Sequence, residues 1–276
     1  MEFAVVLLNE TRVRVGLALL GLCVVGLGGA SYISGASAVD VDIANLFEGM
    51  SWAHWLGTDD LGRDVLARLA AGVRTSLTVG FVVLGVTGVI GVTLGLLAGW
   101  FGGWIDMLVG KATEVVLSFP GLLLALALAA LVGPGMGNVM VALGLLGWVG
   151  FCRLTRVEVQ RLKGLAFVSA AKLGGVGTPA MWGRHILPNC AGPLLVEALL
   201  VVAGTMVAEA GLSFLGLGIP APQPSLGGML RDGMRDVLVS PILVVFPALV
   251  LICLTVGTNI LAQGFQRVIQ GGRKDL

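Results

Sequence analysis

Charge is what this 276-residue chain has least of: Asp, Glu, Lys and Arg make up 12% of it, against 57% hydrophobic residues. So little charge cannot solvate a globule of this size, and a mean hydropathy of +0.98 places the chain in a membrane. A net charge of +1 argues against a nucleic-acid surface. The two histidines, His54 and His185, are too far apart for an HExxH zinc motif. The four cysteines (Cys23, Cys152, Cys190, Cys253) lie in or beside apolar runs without CxxC spacing. They read as small buried hydrophobes, not as disulfides or metal ligands. No G-x4-G-K-S/T phosphate loop occurs, since Gly110-Lys111 lacks both the first glycine and the hydroxyl residue. Gly216-Leu217-Gly218-x-x-Ala221 imitates a dinucleotide fingerprint, but Pro220 and Pro222 forbid the helix that fingerprint opens. The G-x-S-x-G nucleophile turn is missing too. The chain is therefore expected not to hydrolyse ATP itself, and no catalytic residues, metal ligands or cofactor of its own are expected.

What is present is long apolar runs. A helix needs roughly 20 apolar residues to cross a bilayer. Candidate spans are Val13–Ile33, Thr75–Trp100, Ala112–Val132, Val139–Leu154, Ala191–Phe214 and Ile242–Ala262. Six spans put both termini on one side. The 43 glycines suit helices that pack closely in lipid, and Gly91, Gly95 and Gly99 form one ridge for such contact. Ala36-Ser37-Ala38 behind the first span imitates a signal-peptidase site, but the apolar stretch is long and five spans follow, so a retained anchor is expected. Twelve of the 17 basic residues, including Arg273 and Lys274, fall on one side. Arg63, Arg68, Arg74, Arg231 and Arg235 fall on the other. The majority side is expected to be the cytoplasm. The chain then divides into an anchor helix with an external segment, 1–74, and a five-helix core, 75–276, with a cytoplasmic loop at 155–190.

Within that loop, Val168–Asn189 (VSAAKLGGVGTPAMWGRHILPN) is a polar, glycine-interrupted island between apolar runs. Ser169-Ala170-Ala171 gives a helix face of small side chains over which another protein can close. Gly175 is a helix stop, because glycine reaches left-handed angles at low cost. Thr178-Pro179 reads as a new helix start with threonine as cap, and Leu187-Pro188 as its end. The expected product is a helix–turn–helix platform at a membrane surface, shaped to dock a partner.

The island resembles the cytoplasmic EAA loop of permease subunits of ATP-binding-cassette importers. Ala170, Ala171, Gly175, Ile186, Leu187 and Pro188 fit that pattern, and Ser169 stands where the name-giving Glu would be. The segment HWLGTDDLGRDVLARL, from His54, resembles the H-x-LGTD-x-LGRD stretch of C-type permeases in the dipeptide, oligopeptide and nickel branch. There, Thr58 or Asp59 is expected to cap the helix starting at Val65–Val73. His54 has no second histidine nearby, so no metal site is expected. Asp106, Lys111, Glu114 and Phe119-Pro120 follow the family's third-helix pattern. Lys111 and Glu114 share a helix face and can neutralise one another, and Phe119-Pro120 is expected to kink the third span. The resemblance implies the type I importer permease fold: all-α, six transmembrane helices and a coupling-helix loop. It implies a non-catalytic subunit that works by alternating access in an inner or plasma membrane, with both termini cytoplasmic. The implied partners are a second homologous permease, two ATPase subunits carrying ATP and Mg, an external substrate-binding protein and membrane lipid. The residues implied to couple to the ATPase are Ser169, Ala170, Ala171, Leu173, Gly175, Ile186, Leu187 and Pro188. Cargo implied by the branch is a dipeptide, an oligopeptide, nickel or a metal chelate; the compact chain looks more like the nickel-type members.

Span five carries two acids. A carboxylate inside a membrane is costly and by default faces a polar cavity or a partner group. Glu209 opens EAGLSFLGLG, which resembles a family segment, so a structural role is expected for it ahead of substrate contact. Glu197 matches no motif and is the better candidate for the translocation path. The prolines at 220, 222 and 224 with Gly227-Gly228 make a loop that is not helical throughout. A secondary transporter or channel without an ATPase is the alternative reading; it would show charges repeated in two halves, and no such repeat occurs. An intramembrane enzyme would need paired groups, but Glu197 and Glu209 stand about 18 Å apart along a helix.

Overall fold

The computed structural model describes residues 10–272, so Arg273 and Lys274, counted above, lie outside the described residues. Every regular element among the described residues is a helix. Besides a 3-10 turn at Ile43–Asn45, they are in chain order α1 (Thr11–Ser34), α2 (Val65–Phe101), α3 (Gly103–Leu117), α4 (Gly121–Val132), α5 (Met136–Lys163), α6 (Ala166–Leu173), α7 (Thr178–Phe214), α8 (Leu226–Arg235) and α9 (Ile242–Gly272). Helices α1, α2, α5, α7 and α9 are each long and apolar enough to cross a membrane, and α3 with α4 form a bent pair that makes six when counted as one span.

That bend corrects the third span. Ala112–Val132 is not one kinked helix: α3 and α4 meet at 81°. Helix α3 ends at Leu117 with Ser118 as its C-cap, and Pro120 (φ −57°, ψ 119°) stands at the N-cap of α4; a proline pushes the residue before it, here Phe119, out of the helical region. Two further bounds move. Helix α5 runs without interruption to Lys163, and α7 begins at Thr178 and continues past Leu187-Pro188, where an end was expected. A π turn at Trp182–Ile186 precedes Pro188, which then stands in the first turn of the α-helical run beginning at Leu187. There its missing N–H and fixed φ are tolerated.

The glycine ridge sets the main helix pair. A Cβ on Gly91, Gly95 or Gly99 would stand 2.4, 2.6 or 2.8 Å from the backbone oxygens of Trp148, Cys152 and Arg156. Only glycine allows α2 and α5 this approach, which replaces hydrophobic driving force with close van der Waals contact. Helix α1 lies on α9, with Gly16 of α1 against Gly257 and Leu261. Arg12 Nη1 donates to Gln263 Oε1 at 2.8 Å, so the start of α1 and the end of α9 share one end of the molecule.

The opposite end is tied by a compact knot before α2. Gly57 and Gly62 adopt φ of +78° and +70°. A Cβ on Gly62 would stand 1.8 Å from the Asp42 carbonyl oxygen. Asp59 accepts from the Leu61 and Arg63 amides at 2.9 Å and pairs with Arg63 at 2.8 Å and Arg68 at 3.2 Å. With Asp59 occupied and Thr58 Oγ1 donating to the Asn45 carbonyl, neither caps α2. The cap is Asp64, which accepts from the Ala67 amide at 2.7 Å and also meets His54 Nδ1 at 2.9 Å. His54 is thus a partner of the cap. The loop after α7 is irregular through Pro224, and α8 then starts behind Ser225, whose hydroxyl accepts from the Gly228 amide.

Candidate functional site: a docking island and the face of one helix

The island has two faces. Inward, Val168, Met181 and Ile186 are fully buried with Leu96, Trp100, Val159, Leu162 and Cys190. Outward, Ser169, Ala170 and Pro188 are exposed, and Leu173 at the tip of α6 is 91% exposed. Of the residues expected to meet an ATPase, Ile186 therefore lies in the anchoring core, Ala171 and Leu187 are half-buried, and the others lie on or beside the open face. Helix α6 ends as the glycine spacing predicts. Gly175 has φ of +79°, and the Gly174 and Val176 amides donate to the Ala170 and Ala171 carbonyls at 3.0 and 3.1 Å. These bonds satisfy carbonyls that the helix end leaves open. Thr178 does not cap the next helix: Gly177 holds that position, with no side-chain cap.

Aromatic rings and lysines join the island to the end of α2. Trp182 meets Trp100 edge-on, with centroids 6.4 Å apart at 85°, and Phe101 at 6.0 Å and 78°. The Lys172 ammonium stands 4.6 Å from the Trp100 ring centroid, and Lys163 Nζ donates to the Trp100 carbonyl. Nearby, Arg156 Nη2 donates to Asp106 Oδ2 at 2.6 Å and fixes α3 to α5. Lys111 and Glu114 are both exposed and form no ion pair with each other among the described residues, contrary to expectation.

The two acids of α7 have opposite surroundings. Glu209 is fully buried, and its oxygens accept from Ser76 of α2 at 3.0 Å and Ser213 at 2.8 Å. Ser213 in turn accepts from the Ile219 amide at 3.2 Å, so Glu209 holds the EAGLSFLGLG turn against α2. Glu197 is half-buried and has no hydrogen-bond or ion-pair partner among the described residues. It lines a cleft of about 250 Å³ between α5, α7 and α9, together with Leu154, Glu158, Gln266 and Gln270. Val201, Gly204 and Ala208, which follow Glu197 on the same face of α7, line a second, mainly apolar cleft of about 290 Å³ against α4 and α5. Neither Gly150, against which Glu197 rests, nor Ser76 was singled out from sequence. A lone serine in an apolar span is the only signal that could have pointed to Ser76.

The three free, fully buried cysteines (Cys23, Cys152, Cys190) and half-buried Cys253 form no disulfide. Among the described residues no group of three or more His, Cys, Asp or Glu could hold a metal ion.

Residues 91–274 match the family described as binding-protein-dependent transport system inner membrane component. The dipeptide transport system permease protein DppC of Alkalihalophilus pseudofirmus is 38% identical over 86% of this chain and 78% of its own length. DppC of Bacillus subtilis is 40% identical over 77% of this chain and 67% of its own. The glutathione transport system permease protein GsiD of Pectobacterium atrosepticum is 38% identical over 82% and 75%. Among solved structures, an inward-facing MetNI methionine ABC transporter chain superposes with a TM-score of 0.53 at 18% identity, over 71% of this chain and 96% of that one. At that identity the likeness shows the fold alone.

Proposed function

This chain belongs to the family of binding-protein-dependent transport inner membrane components, as a C-type permease of its peptide importer branch, and from that premise we propose its cargo, partners and working parts. It is a multi-pass permease subunit of an ATP-driven importer. The cargo is a short peptide, a reading supported by the dipeptide and glutathione transport named for its relatives. Nickel draws no support from them.

The complex pairs this chain with a second homologous permease, two ATPase subunits that hold ATP and Mg, and a substrate-binding protein. It lies in the inner or plasma membrane. The island faces the cytoplasm, in line with the excess of Lys and Arg at that end. The observation that carries the coupling role is the two-faced island: one side is packed into the helices and the other, ending in Leu173, is open. Closure of the ATPase dimer moves the island, the two permeases switch from inward- to outward-facing, and hydrolysis resets them. Glu197, at the inner end of the cleft-lined face of α7, lines the path and favours cationic groups such as a peptide amino terminus. Glu209 is a clamp between α7 and α2.

The orientation is tested with a membrane-impermeant thiol reagent on intact cells. A cysteine at Asp40 should react and one at Lys163 should not; the reverse pattern would contradict the assignment.

A further inference from the structure

Three elements converge on one residue at the inner end of α2. Trp100 is 8% exposed. It touches Trp182 from α7 edge-on, has Lys172 of α6 over its ring, and lends its backbone carbonyl to Lys163, the last residue of α5. Each contact has a local cause. The carbonyls of a helix's last turn lack intrahelical donors, and Lys163 supplies one. An indole face attracts an ammonium, and an indole edge suits another aromatic face.

From there α2 runs 37 residues, about 55 Å at 1.5 Å per residue. It is bound along its length. The Gly91, Gly95 and Gly99 ridge holds it to α5, Ser76 holds it to Glu209 of α7, and Asp64 and Arg68 root it in the knot at the far end. Contacts spaced along the whole helix give a displacement entering at Trp100 a continuous packed path to the opposite end of the molecule.

We infer that Trp100, held between Lys172 and Trp182, is the positioning residue that passes the island's displacement into α2, and that α2 carries it to the opposite end. This rests on the coupling role proposed above. Filling apolar space would need only a large side chain at 100; the inference requires the aromatic face and the nearer of its two cations, Lys172 at 4.6 Å against Lys163 at 5.9 Å.

The test uses the assembled complex in proteoliposomes, with its ATPase subunits, and needs no knowledge of the cargo. The site Leu131→Cys, at the far end of α4 where Leu131 is 83% exposed, reports labelling by an impermeant maleimide before and after ATP–vanadate trapping. In the otherwise wild-type chain the labelling rate should change on trapping. Trp100→Leu and Lys172→Gln should shrink that change about fivefold while ATP hydrolysis continues, and Trp100→Phe should restore most of it. A full change in both Trp100→Leu and Lys172→Gln would overturn the inference. If Trp100→Leu does not assemble, Lys172→Gln, altered at an exposed side chain, decides alone. No change on trapping in the otherwise wild-type chain would instead contradict the coupling role itself, and with it the displacement that Trp100 is inferred to pass.

Discussion

The Oε1 atom of Glu197 lies 2.1 Å from where a Cβ on residue 150 would stand, so Gly150 of α5 gives that carboxylate its place. A carboxylate without a partner among apolar helices costs several kcal/mol unless it is wet, paired or protonated, which makes its retention meaningful. Glu197→Gln keeps size and hydrogen bonding but removes the charge. Uptake of labelled dipeptide should fall about tenfold with normal complex yield, and Gly150→Ala should lower it in parallel by displacing the side chain. A loss of assembled complex in Glu197→Gln would mean that it packs against the partner permease.

Gly175 tests the shape of the island. Valine at φ of +79° costs about 1–2 kcal/mol, and the helix would relieve that strain by extending past its stop. Gly175→Val should insert and assemble but lose most of its transport per ATP hydrolysed. Normal coupling in this variant would remove the docking role.

Glu209 is predicted to matter for stability. Glu209→Ala leaves the Ser76 and Ser213 hydroxyls without their acceptor in a buried site and opens a void, together about 3 kcal/mol. Ser76→Ala loses one bond and should cost about 1 kcal/mol. Thermal unfolding of the purified complex should rank Glu209→Ala well below Ser76→Ala; equal melting of both with wild type would contradict the clamp.

Asp60, in the knot, carries a pH dependence. Burial pushes its carboxyl above the ordinary value, Asp59 adds to this with smaller help from Asp236 and Asp232, and Arg63 opposes it. The charged form is therefore held less well folded than unfolded. That penalty is present above the raised value and disappears as pH falls below the ordinary carboxylate range. Because the side chain is 40% exposed, Asp60→Asn should raise the melting temperature only by about 1 °C at neutral pH, with the difference closing in acid. A difference that grows in acid would contradict this sign.

The spans were legible because bilayer thickness writes itself into run length, and the Gly91–Gly95–Gly99 ridge because its spacing is the helix repeat. Gly175 was legible because a left-handed stop is a local property. The break at Pro120 was not: a proline in a membrane helix is compatible with a kink, and the 81° angle accompanies the Asp106–Arg156 pair, fifty residues apart in sequence. The sequence points to Thr58 or Asp59 as the cap of α2 because four capping residues, Thr58, Asp59, Asp60 and Asp64, stand within seven positions. The choice of Asp64 followed from long-range claims on the others, by Asn45 and Arg68. Trp100 and Trp182 meet across eighty-two residues, and no local pattern links them.

The central claim is that the open face of the island meets an ATPase subunit. Leu173→Cys, at a side chain 91% exposed, places a thiol at the tip of that face. In the intact complex a short maleimide–diazirine reagent attached to that thiol should, on irradiation, join it to an ATPase subunit in a product resolved by mass spectrometry, while Leu238→Cys, 97% exposed at the opposite end, should give none. Cross-linking to the ATPase from Leu238→Cys and not from Leu173→Cys would contradict the account.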